Sequence, residues 1–186
     1  MSKKNDIFNA TLALIVEEGI KSVTMSKILE KANAGAGTFY NYFSGKDELI
    51  HALYKQVMDR VSARILTDFD AASGVRDRFD HLVYGTLEYL LENYDEYSFI
   101  DQYSHTLHKL NPNDPLLVTD FSEAFVKTLT DGQSQKIISD TDIHILVYTT
   151  IGILTSVVKG SVNNKYSLNQ DAKKSVLQIC WNAVRS

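Results

Sequence analysis

A single cysteine, Cys180, stands in a chain of 186 residues, so no internal disulfide can form and no cysteine-rich zinc site can be built. Two prolines and nine glycines are few. An all-β fold with many tight turns, or a disordered chain, would use more of both. The text holds no glycine-rich phosphate loop, no nucleophile elbow and no His-Glu-x-x-His. The common nucleotide-binding, hydrolase and metalloprotease arrangements are thereby set aside, and no enzyme and no cofactor is expected. Long apolar runs are also scarce. Residues 7–16 carry Asn9 and Thr11, run into Glu17 and Glu18 and lack a small-residue cleavage site, so no secretory leader is expected. Residues 143–158 carry His144, Thr149, Thr150 and Ser156, which predicts a buried helix rather than a membrane span. A cytoplasmic protein without membrane contact is the expectation.

What is present is the composition of a globular protein, 44% hydrophobic and 23% charged, with a net charge of −4. Residues 1–55 hold seven basic and six acidic side chains, the remainder 12 and 17. The acidic excess lies in the later part, and a case for nucleic acid must rest on pattern rather than charge.

The pattern is helical throughout. Ile7, Ala10, Leu14 and Ile15 share one face, and Gly19 is a helix stop. Thr24 is an N-cap for a helix through Met25, Ile28, Leu29 and Ala32. Asn33-Ala34-Gly35-Ala36-Gly37 is a tight break in which Asn tolerates the left-handed conformation. A short helix over residues 38–43 follows. Ser44 with Asp47 reads as a capping box that opens a long helix to about residue 70. Helices are then predicted over 76–93, 96–110, from Asp114 and Pro115 to about 130, from Asp140 or Asp142 to near 160, and over 169–184. The fold class is all-α, with about nine helices. A three-helix head at 1–50 carries a helix-turn-helix over residues 24–43, and a larger helical body occupies 51–186.

Ile7-x-x-Ala10, Gly19, Thr24-x-x-x-Ile28, Gly37-Thr38-Phe39-Tyr40-x-Tyr42-Phe43 and Lys46-Asp47-Glu48-Leu49-Ile50 occur in this order and spacing. In this text residues 6–51 resemble the N-terminal domain of the TetR family of regulators. The resemblance implies double-stranded DNA as partner, an inverted-repeat operator, a homodimer and a small-molecule effector, most often with repression as the outcome. By the same resemblance Thr24, Thr38, Tyr42 and Lys46 are phosphate contacts. Gly35, Ala36, Thr38, Tyr40 and Asn41 are base-side positions, with Gly37 leaving the backbone free to approach the duplex. Lys3 and Lys4, read as a flexible start, would follow the adjacent backbone or minor groove. Phe39 and Phe43, four apart, suit the core of the head. The chain departs from the family where members often have Gly-Val-Ser and then a polar residue. Asn33-Ala34-Gly35-Ala36 stands there, without the serine cap, which shifts specificity toward Tyr40, Asn41 and DNA shape.

In the body, Ile145, Thr149, Gly152, Ser156 and Gly160 form a small-residue stripe on a helix that is apolar on nearly all sides. Val176, Leu177, Ile179, Cys180, Trp181 and Val184 spread likewise beyond one stripe. Either both helices are central in a monomer, or one face of each meets a second subunit, as the last two helices of TetR-like proteins do. Aromatic residues crowd the middle of the chain. Tyr103, Phe121, Phe125 and Tyr148 are the candidates for lining a largely apolar effector pocket, against the alternative of ordinary core. His105 and His108 lie three apart without further ligands, and no metal is expected. A DNA-binding protein controlled by a protein partner, without a small ligand, is the alternative function.

Overall fold

A computed structural model describes residues 2–106 and 118–186. Among the described residues nine α-helices and no strand are found: α1 Lys3–Glu18, α2 Met25–Lys31, α3 Ala36–Tyr40, α4 Lys46–Ile65, α5 Val75–Glu92, α6 Tyr94–Thr106, α7 Asp120–Ser134, α8 Ile143–Val162 and α9 Gln170–Val184. The all-α expectation holds. The helix expected from Asp114, the Asn111-to-Pro115 break, His108 and the side chain of His105 lie outside the described residues.

The chain divides into two compact units. The first takes in residues up to Asp59 together with α6. Its core is Ile7, Ile15, Ile28, Phe39, Leu49, Leu53 and Phe99, all with almost no exposure. Here α1 packs on α2, α3 and α6. The α2–α3 break turns at Asn33, whose φ of 46° is the left-handed conformation anticipated for it. The helix after the break occupies 36–40 rather than 38–43, because Tyr42 and Phe43 both donate their amides to the Phe39 carbonyl in a tightening last turn. Ser44 also differs from expectation. Its backbone amide and hydroxyl both donate to the Glu48 carboxylate, so the carboxylate that reaches back is Glu48, one residue beyond Asp47, and the hydroxyl donates to it. These bonds hold the Glu48 carboxyl below its ordinary pKa.

The second unit comprises the end of α4 from Arg60, then α5, α7, α8 and α9. The fourth helix stops at Ile65, short of residue 70, since Asp68 turns the chain at a φ of 59°. Thr119 caps α7 through a reciprocal box with Ser122, Asp142 caps α8 and Asn169 caps α9. In this unit α5 packs against α7, α8 and α9, with Phe79 edge-on to Trp181 at 5.3 Å and tilted against Phe125 at 6.1 Å. Polar ties also fix α5. Arg78, buried, donates to Asp131 of α7 at 2.8 Å. Lys173 of α9 meets Glu88 at 2.6 Å, a bond that raises the lysine's pKa. Gly132 allows the α7–α8 connection to close on it, for a Cβ there would lie 2.7 Å from Ile138 Cδ1. Burial pushes the Cys180 thiol up to about 11, so it serves as core.

Candidate nucleic-acid interface

The first unit's surface is built around a buried aromatic trio. Phe39 lies 5.5 Å from Phe43, and Phe43 lies 5.4 Å from Phe8 of α1. Anchoring Phe39 and Phe43 inward turns the intervening side chains outward, as a helical turn demands. Tyr40 is 62% exposed and Tyr42 is 41% exposed. Asn41, Gly35, Ala36 and Gly37 are exposed, and Thr38 is half-buried. Gly35 is the N-cap of α3 and makes no side-chain cap bond. The missing serine therefore leaves the first amides of this helix without a side-chain acceptor. No Cβ at Gly35 or Gly37 would meet anything within 4 Å, so the backbone here is open to a large partner.

Thr24 caps α2 by accepting from the Lys27 amide at 3.4 Å. Lys46, the first residue of α4, donates its ammonium to the carbonyl of Val23 at 3.0 Å. That bond brings Lys46 beside Thr24, although 22 positions separate them in the chain. An ammonium carries three donors, and one bond to Val23 leaves two. Lys3 and Lys4 are not on a loose start. They form the first turn of α1, because Ser2 accepts from the Asn5 amide as an N-cap. Lys3 lies 3.5 Å from Asp6 and 3.4 Å from the Asn33 carbonyl, and Lys4 stands over the rings of Phe8 and Phe43 at 5.5 and 5.8 Å. Two further lysines, Lys27 and Lys31, pair with Glu18 and Glu17 of α1. Such exposed pairs add little stability, but they offset the charge of α2. The sequence holds one Glu-x-x-His, Glu48 and His51, a spacing found in helical metal sites. Here the Glu48 carboxylate is taken by Ser44, and His51 Nδ1 lies 2.8 Å from the Tyr103 hydroxyl.

Of the four residues expected to line an effector pocket, Tyr103 belongs to the first unit and Phe121, Phe125 and Tyr148 belong to the second. Tyr103 is buried in the first unit, stacked on Tyr54 at 4.2 Å. Phe121 and Phe125 stack on each other along α7 at 6.0 Å, Phe121 half-buried and Phe125 buried. Tyr148, on α8, is 77% exposed. Sequence spacing does not distinguish a tyrosine that faces inward from one that faces out. Sequence reasoning also missed Gln102, whose side chain reaches the end of α1. No local pattern announces a bond between residues 82 apart in the chain.

A short helix that presents glycine, hydroxyls and tyrosines, set after a first helix capped by threonine, defines a helix-turn-helix DNA-binding protein. Residues 7–53 match the bacterial regulatory proteins of the tetR family, and residues 54–186 match the tetracyclin repressor-like C-terminal domain. The chain belongs to the TetR family, whose members are DNA-binding transcription regulators and not enzymes. An HTH-type transcriptional regulator of Haemophilus influenzae is 33% identical over 97 residues, 52% of this chain and 52% of that protein. The chain spans about half the length of the curated relatives it matches. Two solved TetR-family transcription regulators share the fold. One, from Marinobacter aquaeolei, has a TM-score of 0.89 at 16% identity, covering 99% of this chain and 96% of the other. The second, from a Shewanella species, has a TM-score of 0.84 at 17% identity, covering 100% of both chains.

Proposed function

We propose that the protein is a homodimeric, cytoplasmic, sequence-specific repressor that binds an inverted-repeat operator and is released by a small, largely apolar effector. The observation that carries this reading is the outward presentation of Tyr40, Asn41 and Tyr42 while Phe39 and Phe43 are locked inward. Tyr40 and Asn41 read base edges, with Gly35, Ala36, Gly37 and Thr38 allowing the backbone close approach. Thr24, Tyr42 and Lys46 hold phosphates, and Lys3 and Lys4 reach the flanking backbone from the first turn of α1. Phosphate contacts position the protein and base contacts specify the site.

The dimer reading is supported by α8 and α9. On α8, Leu146, Thr150, Leu154 and Val158 are buried, while Ile145, Tyr148, Thr149, Gly152 and Ser156 are exposed. On α9, Ile179 is exposed as well. α8, Ile143–Val162, also has the length and hydropathy of a membrane span, with a mean hydropathy of 1.6. A small-residue stripe flanked by exposed apolar side chains suits close helix approach by a second copy. The effector reading narrows to α7, where Phe121 is half-buried against Phe125. The same exposed face of α8 favours, as a second reading, control by a protein partner docked there.

Selection of bound duplexes from a random library tests the function. The expected result is an inverted repeat whose half-sites lie about one helical turn apart, roughly 34–36 Å. Recovery of sequences with no symmetry and no consensus would end the operator reading. A screen of apolar metabolites for release from the selected duplex, repeated on Phe121→Ala, tests the effector. Release of the wild-type protein but not of the variant is expected. No releasing compound in the screen would favour the protein partner.

A further inference from the structure

We infer that Gln102, on α6, is a positioning residue for DNA binding, acting through the loop that presents Thr24 and holds Lys46. The inference deepens the contact reading above and rests on it. After α1 ends at Glu18, the chain turns at Gly19, with a φ of 85°, which donates its amide to the Ile15 carbonyl at 2.9 Å. The next amide, that of Ile20, has no acceptor within its own turn and points to Gln102, whose Oε1 accepts it at 2.9 Å. The Nε2 of the same side chain donates to the Ile15 carbonyl and to Ser98 Oγ, each at 3.4 Å. A primary amide offers an acceptor and two donors on one plane. It can therefore satisfy an N–H and a C=O of the same backbone turn at once, which an aliphatic side chain cannot do at all. Ile20 and Val23 are buried, so the loop from Gly19 to Thr24 is pinned at both ends by apolar side chains and in its backbone by Gln102.

The neighbouring residue of α6 grips a different element. Successive helical positions point about 100° apart. Tyr103 accordingly reaches α4, with its hydroxyl 2.8 Å from His51 Nδ1 and its ring stacked on Tyr54 at 4.2 Å. One turn of α6 thus braces the α1–α2 loop through Gln102 and α4 through Tyr103. Those two elements carry the phosphate-facing pair. The loop delivers Thr24, α4 delivers Lys46, and the Val23 carbonyl joins them at 3.0 Å. Release of the Gln102 grip frees the loop, and with it the carbonyl that orients the lysine.

The test uses the full chain, the inverted-repeat duplex selected with the wild-type protein, and a random duplex of equal length. Gln102→Met keeps side-chain length and removes the side-chain hydrogen bonds to Ile20, Ile15 and Ser98, and Gln102→Glu keeps an acceptor for the Ile20 amide. Loss of a net hydrogen bond predicts about fivefold weaker binding by Gln102→Met. Its salt dependence should be shallower by about one counterion as Lys46 loses its place. Gln102→Glu should stay within about threefold of wild type, on the acceptor bond it retains. In the wild-type protein, hydrogen exchange at the Ile20 amide should slow when the selected duplex is added. Wild-type affinity and salt slope retained by Gln102→Met would overturn the inference, and so would equal damage in both variants. If Gln102→Met fails to fold, the exchange measurement decides, and an Ile20 amide indifferent to DNA overturns it. An unchanged salt slope in Lys46→Ala would instead refute the phosphate assignment, a result separate from the Ile20 signal.

Discussion

Among the surfaces that expose tyrosine, those around Tyr40 and Tyr148 do so on different terms. On α3 and the turn that follows it, Tyr40 and Tyr42 stand out beside glycines, a threonine and an asparagine, held there by Phe39 and Phe43 turned inward. On α8, Tyr148 stands out beside Ile145, Thr149, Gly152 and Ser156, with Leu146, Thr150, Leu154 and Val158 turned inward. The first surface pairs aromatic rings with hydrogen-bonding groups and an adjacent ammonium, the chemistry of a hydrated, charged duplex. The second pairs a ring with aliphatic and small side chains, the chemistry of another apolar helix. Exposure alone does not say what a surface meets; the company of the exposed residue does.

The largest effect should come from charging the second surface. Ile145→Glu with Ile179→Glu would bury uncompensated carboxylates in a subunit contact, each costing about 3–5 kcal/mol. The double variant should sediment as a folded monomer and lose operator binding. A dimer of unchanged affinity would erase the contrast between the two surfaces. Next in size is a core change that spares both. Gly132→Ala puts a Cβ 2.7 Å from Ile138 Cδ1 and 3.0 Å from Val75 Cγ1. Overpacking of this kind costs about 1–3 kcal/mol, to be read as a lower Tm with unchanged DNA affinity per folded molecule.

On the first surface the effects are smaller and divide by role. Lys46→Ala should weaken selected and random duplexes alike and flatten the salt slope by about one counterion. Tyr40→Ala should cost about 1–3 kcal/mol on the selected duplex and less on the random one. If Tyr40→Ala weakens both equally, Tyr40 belongs with the phosphate contacts. The smallest effect concerns acid. The Arg78 hydrogen bond holds the Asp131 carboxyl below its ordinary pKa. Its contribution is therefore present above the unfolded value near 3.8 and is lost as pH falls through the lower folded value. Asp131→Asn should flatten the acid limb of a stability–pH curve between those two values. An unchanged limb would mean the pair contributes nothing there.

The sequence made the head legible because its chemistry is local. Thr24 as cap, Asn33 in the left-handed turn, and Phe39 with Phe43 as one buried face are each decided within a few residues. The opening of α8 narrows to Asp140 or Asp142 for the same reason, with Asp142 the cap, and the last helix is placed from Asn169, which caps it. What escaped depended on distance along the chain. Gln102 bonds a residue 82 positions away, and Lys46 a carbonyl 23 positions away. Tyr103 and Tyr148 fell in one aromatic-rich list, yet one packs on Tyr54 and the other faces out. The start of α1 is set by Ser2, which caps a turn that apolar periodicity does not mark.

Dimeric binding to an inverted repeat fixes how many chains hold one operator. Sedimentation equilibrium of the protein alone, and with the selected duplex, measures that number. Two chains free in solution and two, or a multiple of two, on each inverted repeat is the predicted result, with half of the repeat bound far more weakly. A monomer at micromolar concentration that binds a half-site as tightly as the whole repeat would contradict it.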